Sequence, residues 1–120
     1  MLTVFLDYPP SVNRAWRQGG GKMYQPKEVT DYKILAGWKA RQKGAKPAGG
    51  DIEVEATLHP KTTKKGLPSK TRVDLDNVCK IVLDSFNGVC YHDDKQITKI
   101  VLEVGEAVKD GGITVTINER

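Results

Sequence analysis

The sequence predicts a single α/β (α+β) domain, with a mixed sheet of about four strands and two main helices in the approximate order β-α-β-α-β-β. Three observations lead to this prediction. Apolar residues alternate with period two in four stretches, they recur with helical spacing in two others, and proline or glycine separates the stretches. Residues 1–120 have the length of one domain.

The first strand is predicted from the alternation of apolar residues over positions 2–6. Pro9-Pro10 ends it, because proline cannot donate to a ladder and restricts the residue before it. From Ser11 to Gly21 we expect an irregular segment whose tip is the glycine triplet 19–21.

The first helix is predicted from about Lys27 to Lys43, where Pro26 and Glu28 suit the start of a helix. We expect Leu35 and Trp38 to widen its apolar stripe. The stripe itself is made of Val29, Tyr32, Ala36 and Ala40.

Three further strands are predicted over residues 52–59, about 96–104 and 113–118, each from alternating apolar residues. The link before the last strand contains Asp110-Gly111-Gly112, which marks a turn. Because a short glycine-rich link allows a hairpin, we expect the last two strands to pair antiparallel.

The second helix is predicted over residues 75–87, with Gly88 as its C-cap. Its apolar residues have the spacing of a buried face: Leu75, Val78, Cys79, Val82, Leu83 and Phe86. Cys79 and Cys90 form no CxxC pair, so we expect two reduced thiols and no zinc site.

Acidic residues gather at both ends of this helix, in a chain whose net charge is +4. Asp74 and Asp76 stand at its start, Lys80 follows one turn later, and Asp93-Asp94 comes beyond its end. Taken singly, Asp74 is a good N-cap, Asp76 suits the helix dipole, and Asp76 and Lys80 can form a weak ion pair. Asp93-Asp94 can likewise be an ordinary turn.

Taken together, the same residues are the parts of a metal-dependent hydrolase. Mg²⁺ takes oxygen ligands, usually one or two carboxylates with water and substrate phosphates. Asp74 and Asp76 can reach one ion, and Asp94 can supply a third carboxylate if the sheet brings it alongside. Such a site would cleave a phosphodiester with metal-activated water, while Lys80 neutralises developing charge.

A cationic surface for DNA is predicted from two basic segments. Arg14 and Arg17 flank Trp16, which suits contacts to phosphate and an unstacked base, although an ordinary solvated loop has the same composition. The segment 61–72 contains no acid and can follow a phosphate backbone through counterion release. Its cations are Lys61, Lys64, Lys65, Lys70 and Arg72.

Other interpretations remain open from the residues alone. His59 or His92 could act as a general base, but no nucleophile motif lies near either of them. The chain could also be a non-catalytic DNA-binding protein, or a basic protein whose acids only form caps and turns. No apolar run approaches the roughly 20 residues of a membrane span, and no signal-peptide pattern is visible, so we expect a cytoplasmic location.

Several motifs resemble the core signature of the RusA-like Holliday junction resolvases. They are Arg72-Val73-Asp74-Leu75-Asp76-Asn77-Val78-Cys79-Lys80, Leu83-Asp84, Asn87-Gly88-Val89 and Tyr91-His92-Asp93-Asp94-Lys95-Gln96-Ile97. Pro9-Pro10-Ser11-Val12-Asn13-Arg14 resembles the family's N-terminal motif. The cationic segment departs from the family, being longer, rich in lysine and interrupted by Gly66 and Pro68.

The resemblance implies a homodimer that cleaves four-way DNA junctions by paired nicks in opposing strands. It implies Mg²⁺ as the cofactor, with Mn²⁺ as a possible substitute. The family's catalytic acids correspond to Asp74, Asp76 and Asp94 and its catalytic lysine to Lys80, with Asp93 as a secondary acid. Such proteins are typically encoded by phages and prophages.

Overall fold

The computed structural model describes residues 1–10, 17–19, 22–24, 27–64 and 75–119; for residues 17–19, 22–24, 76 and 77 it describes the backbone alone. A four-stranded mixed sheet has the order β1-β6-β4-β5, and β2 pairs with β3 in a separate two-stranded sheet. The strands are β1 Leu2–Leu6, β2 Arg17–Gly19, β3 Lys22–Tyr24, β4 Ile52–His59, β5 Ile97–Val104 and β6 Gly112–Glu119. The helices are α1 Lys27–Gln42 and α2 Leu75–Ser85.

The predicted fold class is confirmed, with two corrections to the pairing of strands. The segment 11–21, expected to be irregular, contains β2, which pairs antiparallel with β3. Gly20-Gly21 connects the two strands, and a glycine pair between short segments is a hairpin signal.

The expected antiparallel pairing of β5 and β6 is wrong. β5 pairs parallel with β4, and β6 lies on the other side of β4, between β4 and β1. The link between β5 and β6 is bound to the end of β4: Gly105 N–H donates to Leu58 O at 2.9 Å, and Val108 N–H donates to Pro60 O at 3.0 Å. The chain therefore passes over the end of β4 and does not form a hairpin.

Both helices cover one face of the sheet. Alternate residues of the strands are buried on that face, as period-two geometry requires. They are Val4 and Leu6 of β1, Ile52, Val54, Ala56 and Leu58 of β4, and Ile113, Val115 and Ile117 of β6.

Helix α2 is fixed to the sheet by its apolar face, as its spacing predicts. Val78, Cys79, Val82 and Phe86 are each at most 6% exposed. Burying a large aliphatic or aromatic side chain contributes roughly 1.5–3 kcal/mol, whereas a surface ion pair on a helix contributes a few tenths. Packing rather than charge therefore sets the position of α2.

Helix α1 packs through Val29, Ala36 and Ala40, which are buried, and through Tyr32, whose hydroxyl donates to Asp7 O at 2.7 Å. The predicted contribution of Leu35 and Trp38 to the buried stripe is wrong, because they are 40% and 54% exposed. Among the described residues, no helix is long and apolar enough to span a membrane.

Candidate active site

The exposed side of α2 carries charged residues that point away from its apolar face. Lys80 is exposed, and Asp84 is half-buried, with its Oδ2 3.8 Å from Lys33 Nζ of α1. Lys80 lies midway along the helix between the backbone positions of Asp76 and Asp84. At 1.5 Å per residue, it is about 6 Å along the axis from each.

The chain reverses direction directly after α2. Gly88 has φ +78°, in the left-handed region that glycine adopts without penalty, and its N–H donates to Tyr91 O at 2.7 Å. Tyr91 is fully buried, and its hydroxyl donates to the carbonyl of Leu83. These bonds hold the start of the next segment against the last turns of α2.

The acidic turn His92–Gln96 follows, and a capping box fixes its shape. Asp93 is the N-cap of a short 3₁₀ helix, Asp94–Gln96, and its carboxylate accepts from Lys95 N–H at 2.9 Å. Gln96 Oε1 accepts from His92 N–H at 2.7 Å and from Asp93 N–H at 3.0 Å.

Gln96 also ties this turn to the segment before β4. Its Nε2 donates to Ala48 O and to Gly50 O, both at 2.8 Å. One amide therefore joins the acidic turn to the chain that enters β4, while the adjacent residue, Ile97, begins β5.

The carboxyl groups of the turn influence one another. The backbone hydrogen bond from Lys95 lowers the pKa of Asp93, and the hydrogen bond between the two carboxyl groups lowers it further. That same bond is the main reason why the pKa of Asp94 is raised, and the charges of Asp93 and Asp84 add to the effect. The charge of Asp84 thus acts on Asp94, and the hydrogen bond from Tyr91 to the carbonyl of Leu83 ties the chain before the turn to α2.

The structure places the predicted catalytic residues unevenly. Asp74 lies outside the described residues. Asp76 is in the first turn of α2, and the structure describes only its backbone. Asp93 and Asp94 are exposed, Asp84 is half-buried, and Lys80 is on the same helix as Asp84. Within the described side chains, no group of three or more His, Cys, Asp or Glu is arranged to hold a metal ion.

The donors that are described fit a hard divalent cation. They are carboxylates at an exposed position. The hydrogen bond with Asp93 is the main cause of the raised pKa of Asp94, and repulsion from the negative charges of Asp93 and Asp84 adds to it. A bound cation would relieve that repulsion, and carboxylate oxygens are the ligands that Mg²⁺ prefers.

The predicted DNA-binding cations are described in part. Lys61 is exposed, with Nζ 5.3 Å from the centre of the Tyr8 ring, and Lys64 is exposed in a turn. For Arg17 the structure gives only its backbone, at the start of β2. Arg14, Lys65, Lys70 and Arg72 lie outside the described residues.

His59 has a structural environment. One ring nitrogen is 2.7 Å from Glu106 O and the other is 2.8 Å from Thr114 Oγ1. Both nitrogens are engaged, and the ring lies against Phe5 with the ring centres 5.9 Å apart. His59 therefore holds the link between β5 and β6 against the sheet.

Sequence reasoning did not single out Gln96 or Asp84. The spacing of Asp93 and Gln96 was a signal for Gln96, because an acidic N-cap followed three residues later by Gln is a capping box. Asp84 stands out in the sequence only within the motif Leu83-Asp84. Its electrostatic effect on Asp94 depends on the path of the chain after the C-cap Gly88, and the burial of Tyr91 helps to set that path.

Comparison with known proteins identifies the family to which the chain belongs. The family model of endodeoxyribonuclease RusA matches residues 7–118. A crossover junction endodeoxyribonuclease of Enterobacteria phage HK97 is 31% identical over 115 residues, which are 95% of this chain and 91% of that protein. A crossover junction endodeoxyribonuclease of Aquifex aeolicus (strain VF5) is 33% identical over 76 residues, 62% of this chain and 55% of that protein. The match over residues 7–118 includes α2, the acidic turn, β4, β5 and β6 up to residue 118, and it leaves out β1. The chain belongs to the RusA family of endodeoxyribonucleases.

Proposed function

We propose that this protein is a crossover junction endodeoxyribonuclease, a homodimer that resolves four-way DNA junctions by paired symmetric nicks with Mg²⁺ as cofactor. The observation that carries the proposal is the family match over residues 7–118, which contains Lys80 and the acidic turn. Both relatives described above are named for cleavage of crossover junctions. The net charge of +4 suits a polyanionic substrate.

Asp74, Asp76 and Asp94 are the proposed ligands of the cation, with Asp93 as a secondary acid. A bound divalent cation supplies Lewis-acid stabilisation of the phosphoryl oxygens and a water molecule of lowered pKa. Mn²⁺ has the same preference for oxygen ligands and is expected to substitute.

The chain's own residues have separate tasks in this proposal. The N-terminus of α2 and the side chain of Lys80 face the DNA, and the Lys80 ammonium neutralises the charge that develops on the phosphoryl group. The capping box around Asp93 and Gln96 holds the acidic turn in one conformation. Lys61 and Lys64, with Arg14, Arg17, Lys65, Lys70 and Arg72, contact the phosphate backbone.

The first test is cleavage of a synthetic four-way junction, with a linear duplex of the same sequence as control. We expect symmetric nicks in opposing strands with Mg²⁺ or Mn²⁺ and none with EDTA. Equal cleavage of the duplex would indicate a general nuclease, and cleavage in EDTA would contradict the role of the cation.

A second test separates the enzyme from a DNA-binding protein without catalysis. Asp74→Asn and Asp76→Asn should abolish nicking and leave junction binding equal or tighter, because each removes negative charge close to phosphates. Unchanged nicking by both variants would show that the cleavage site lies elsewhere.

A further inference from the structure

Strand β5 has an exposed edge. Among the described strands its one neighbour is β4, and it forms the end of the four-stranded sheet. Ile100, Val101 and Val104 are 45%, 37% and 52% exposed, and the strand contains no proline. The unpaired N–H and C=O groups along the edge of such a strand are a template for pairing with another strand.

The backbone of β5 is oriented for such pairing. Gly105 N–H points to β4, since it donates to Leu58 O. Backbone groups of successive strand residues alternate in direction, and the pairing with β4 runs without a shift from Lys99 to Val104. Ile100, Leu102 and Val104 therefore direct their N–H and C=O groups away from β4, toward the open edge.

The side chains of β5 are complementary to a second copy of the same strand. Lys99 and Glu103 have opposite charge, and each is two residues from Val101. Antiparallel self-pairing centred on Val101 sets Lys99 opposite the partner's Glu103 and repeats that contact by symmetry. Self-pairing centred on Lys99 or on Glu103 would place two like charges directly opposite each other, which destabilises a strand pair.

We propose that two copies of this chain pair antiparallel along β5, about a two-fold axis at Val101, and join their sheets into one. Ile100 then exchanges backbone hydrogen bonds with the partner's Leu102. The side chains of both residues lie on the helix side of the sheet. That the protein forms a dimer is part of the function proposed above. The position of the dimer interface is what we infer from β5.

This arrangement places the two sites usefully for a branched substrate. The axis is perpendicular to the sheet, because neighbouring antiparallel strands are related by rotation about the sheet normal, so both pairs of helices lie on one face. Ile97 is four residues from the axis, and at 3.3 Å per residue the two copies of Ile97 are about 26 Å apart. The acidic turns precede Ile97, so one face presents two equivalent sites, one for each scissile strand.

Charge reversal tests the register by sedimentation equilibrium at micromolar protein. We expect a dimer for the native chain, an association constant lowered about tenfold in Lys99→Glu and in Glu103→Lys, and recovery in the double variant. A native monomer, or a double variant that associates no better than the single ones, would overturn the proposal.

Cross-linking tests the surface. Residues opposed at a non-hydrogen-bonded position of an antiparallel pair have Cα atoms about 4.5 Å apart, within the range of a disulfide. Oxidised Val101→Cys should form a covalent dimer, whereas Thr3→Cys, exposed on the opposite edge strand β1, should not. Cys79 and Cys90 are buried and serve as background in both variants.

Neither experiment needs DNA or metal, so the two proposals can fail separately. A β5 dimer that leaves junctions intact would refute the proposed activity alone. Paired nicking by a chain whose Val101→Cys variant never cross-links, or cross-linking of Thr3→Cys in its place, would refute the β5 surface alone.

Discussion

Lys80 is the residue whose chemical role can be separated most cleanly from folding. It is exposed on α2, and its neighbours Cys79 and Ile81 are buried, so the side chain can be shortened without disturbing the core. We expect Lys80→Gln to lower the single-turnover rate of junction nicking by about 100-fold, the usual effect of removing one group that stabilises transition-state charge.

The control for this variant is Lys109→Gln, which removes the same charge from an exposed turn outside the proposed site. It should change the melting temperature and the nicking rate little. Equal losses of rate in both variants would mean that Lys80 contributes only to general attraction for DNA.

Cys90 gives a prediction about stability at alkaline pH. Burial raises the pKa of its thiol from the ordinary 9.0 to about 12. Between these values the unfolded thiol loses its proton and the folded one keeps it, so the free energy of unfolding falls as pH rises. The slope from this group is at most about 1.4 kcal/mol per pH unit.

Urea unfolding between pH 8 and 11 measures this slope. Cys90→Ala should be less stable near neutral pH but should lose stability less steeply above pH 9. Val89→Ala, which opens a cavity next to it without removing a titratable group, should keep the native slope. Equal slopes in all three chains would contradict the assignment to Cys90.

At the scale of elements, the acidic turn depends on Gln96. Its side chain makes four hydrogen bonds, to two backbone N–H groups of the turn and to two carbonyls before β4. We expect Gln96→Ala to lower the free energy of unfolding by about 1–3 kcal/mol. It should also lower the nicking rate at saturating junction, with less effect on the affinity for the junction.

Gln42→Ala is the matched control, because Gln42 is an exposed glutamine at the end of α1. It should leave stability and rate near those of the native chain. A Gln96→Ala protein with native nicking rate would show that the turn needs no support from this amide.

The elements also show what sequence patterns can and cannot predict. Both helices and the four strands of the main sheet were predicted from periodicity, because the 3.6- and 2-residue repeats report directly which side chains are buried. The pairing of β5 and β6 was not, because it is decided by long-range contacts of the link after Gly105 with Leu58 and Pro60. The residue spacing of a link does not contain that information.

The same limit applies to the site. The carboxylates of α2 and of the acidic turn are visible in the sequence as residue types suited to a cation. The electrostatic effect of Asp84 on Asp94 depends on the path of the chain after Gly88, and the burial of Tyr91, a tertiary feature, helps to set that path. The capping box was readable in advance, and it identifies Gln96 as the residue that fixes the turn.

For the whole molecule, one sheet connects the proposed chemistry with the proposed assembly. β5 begins at the acidic turn and ends at the link that crosses β4, and its outer edge is the proposed dimer surface. A change at the β5 edge should therefore alter the pairing of nicks more than the chemistry of each nick. We expect Lys99→Glu to accumulate singly nicked junctions at protein concentrations where the native chain yields resolved duplexes.

Single-turnover nicking of a four-way junction by Asp94→Asn in Mg²⁺, measured together with its affinity for the same junction, tests whether the acidic turn supplies a carboxylate to the reaction. We expect nicking to fall by at least about 100-fold while binding stays equal or becomes tighter, since a carboxylate near the phosphates is neutralised. Nicking within a few-fold of the native rate, or a loss of binding by a folded variant, would contradict this expectation.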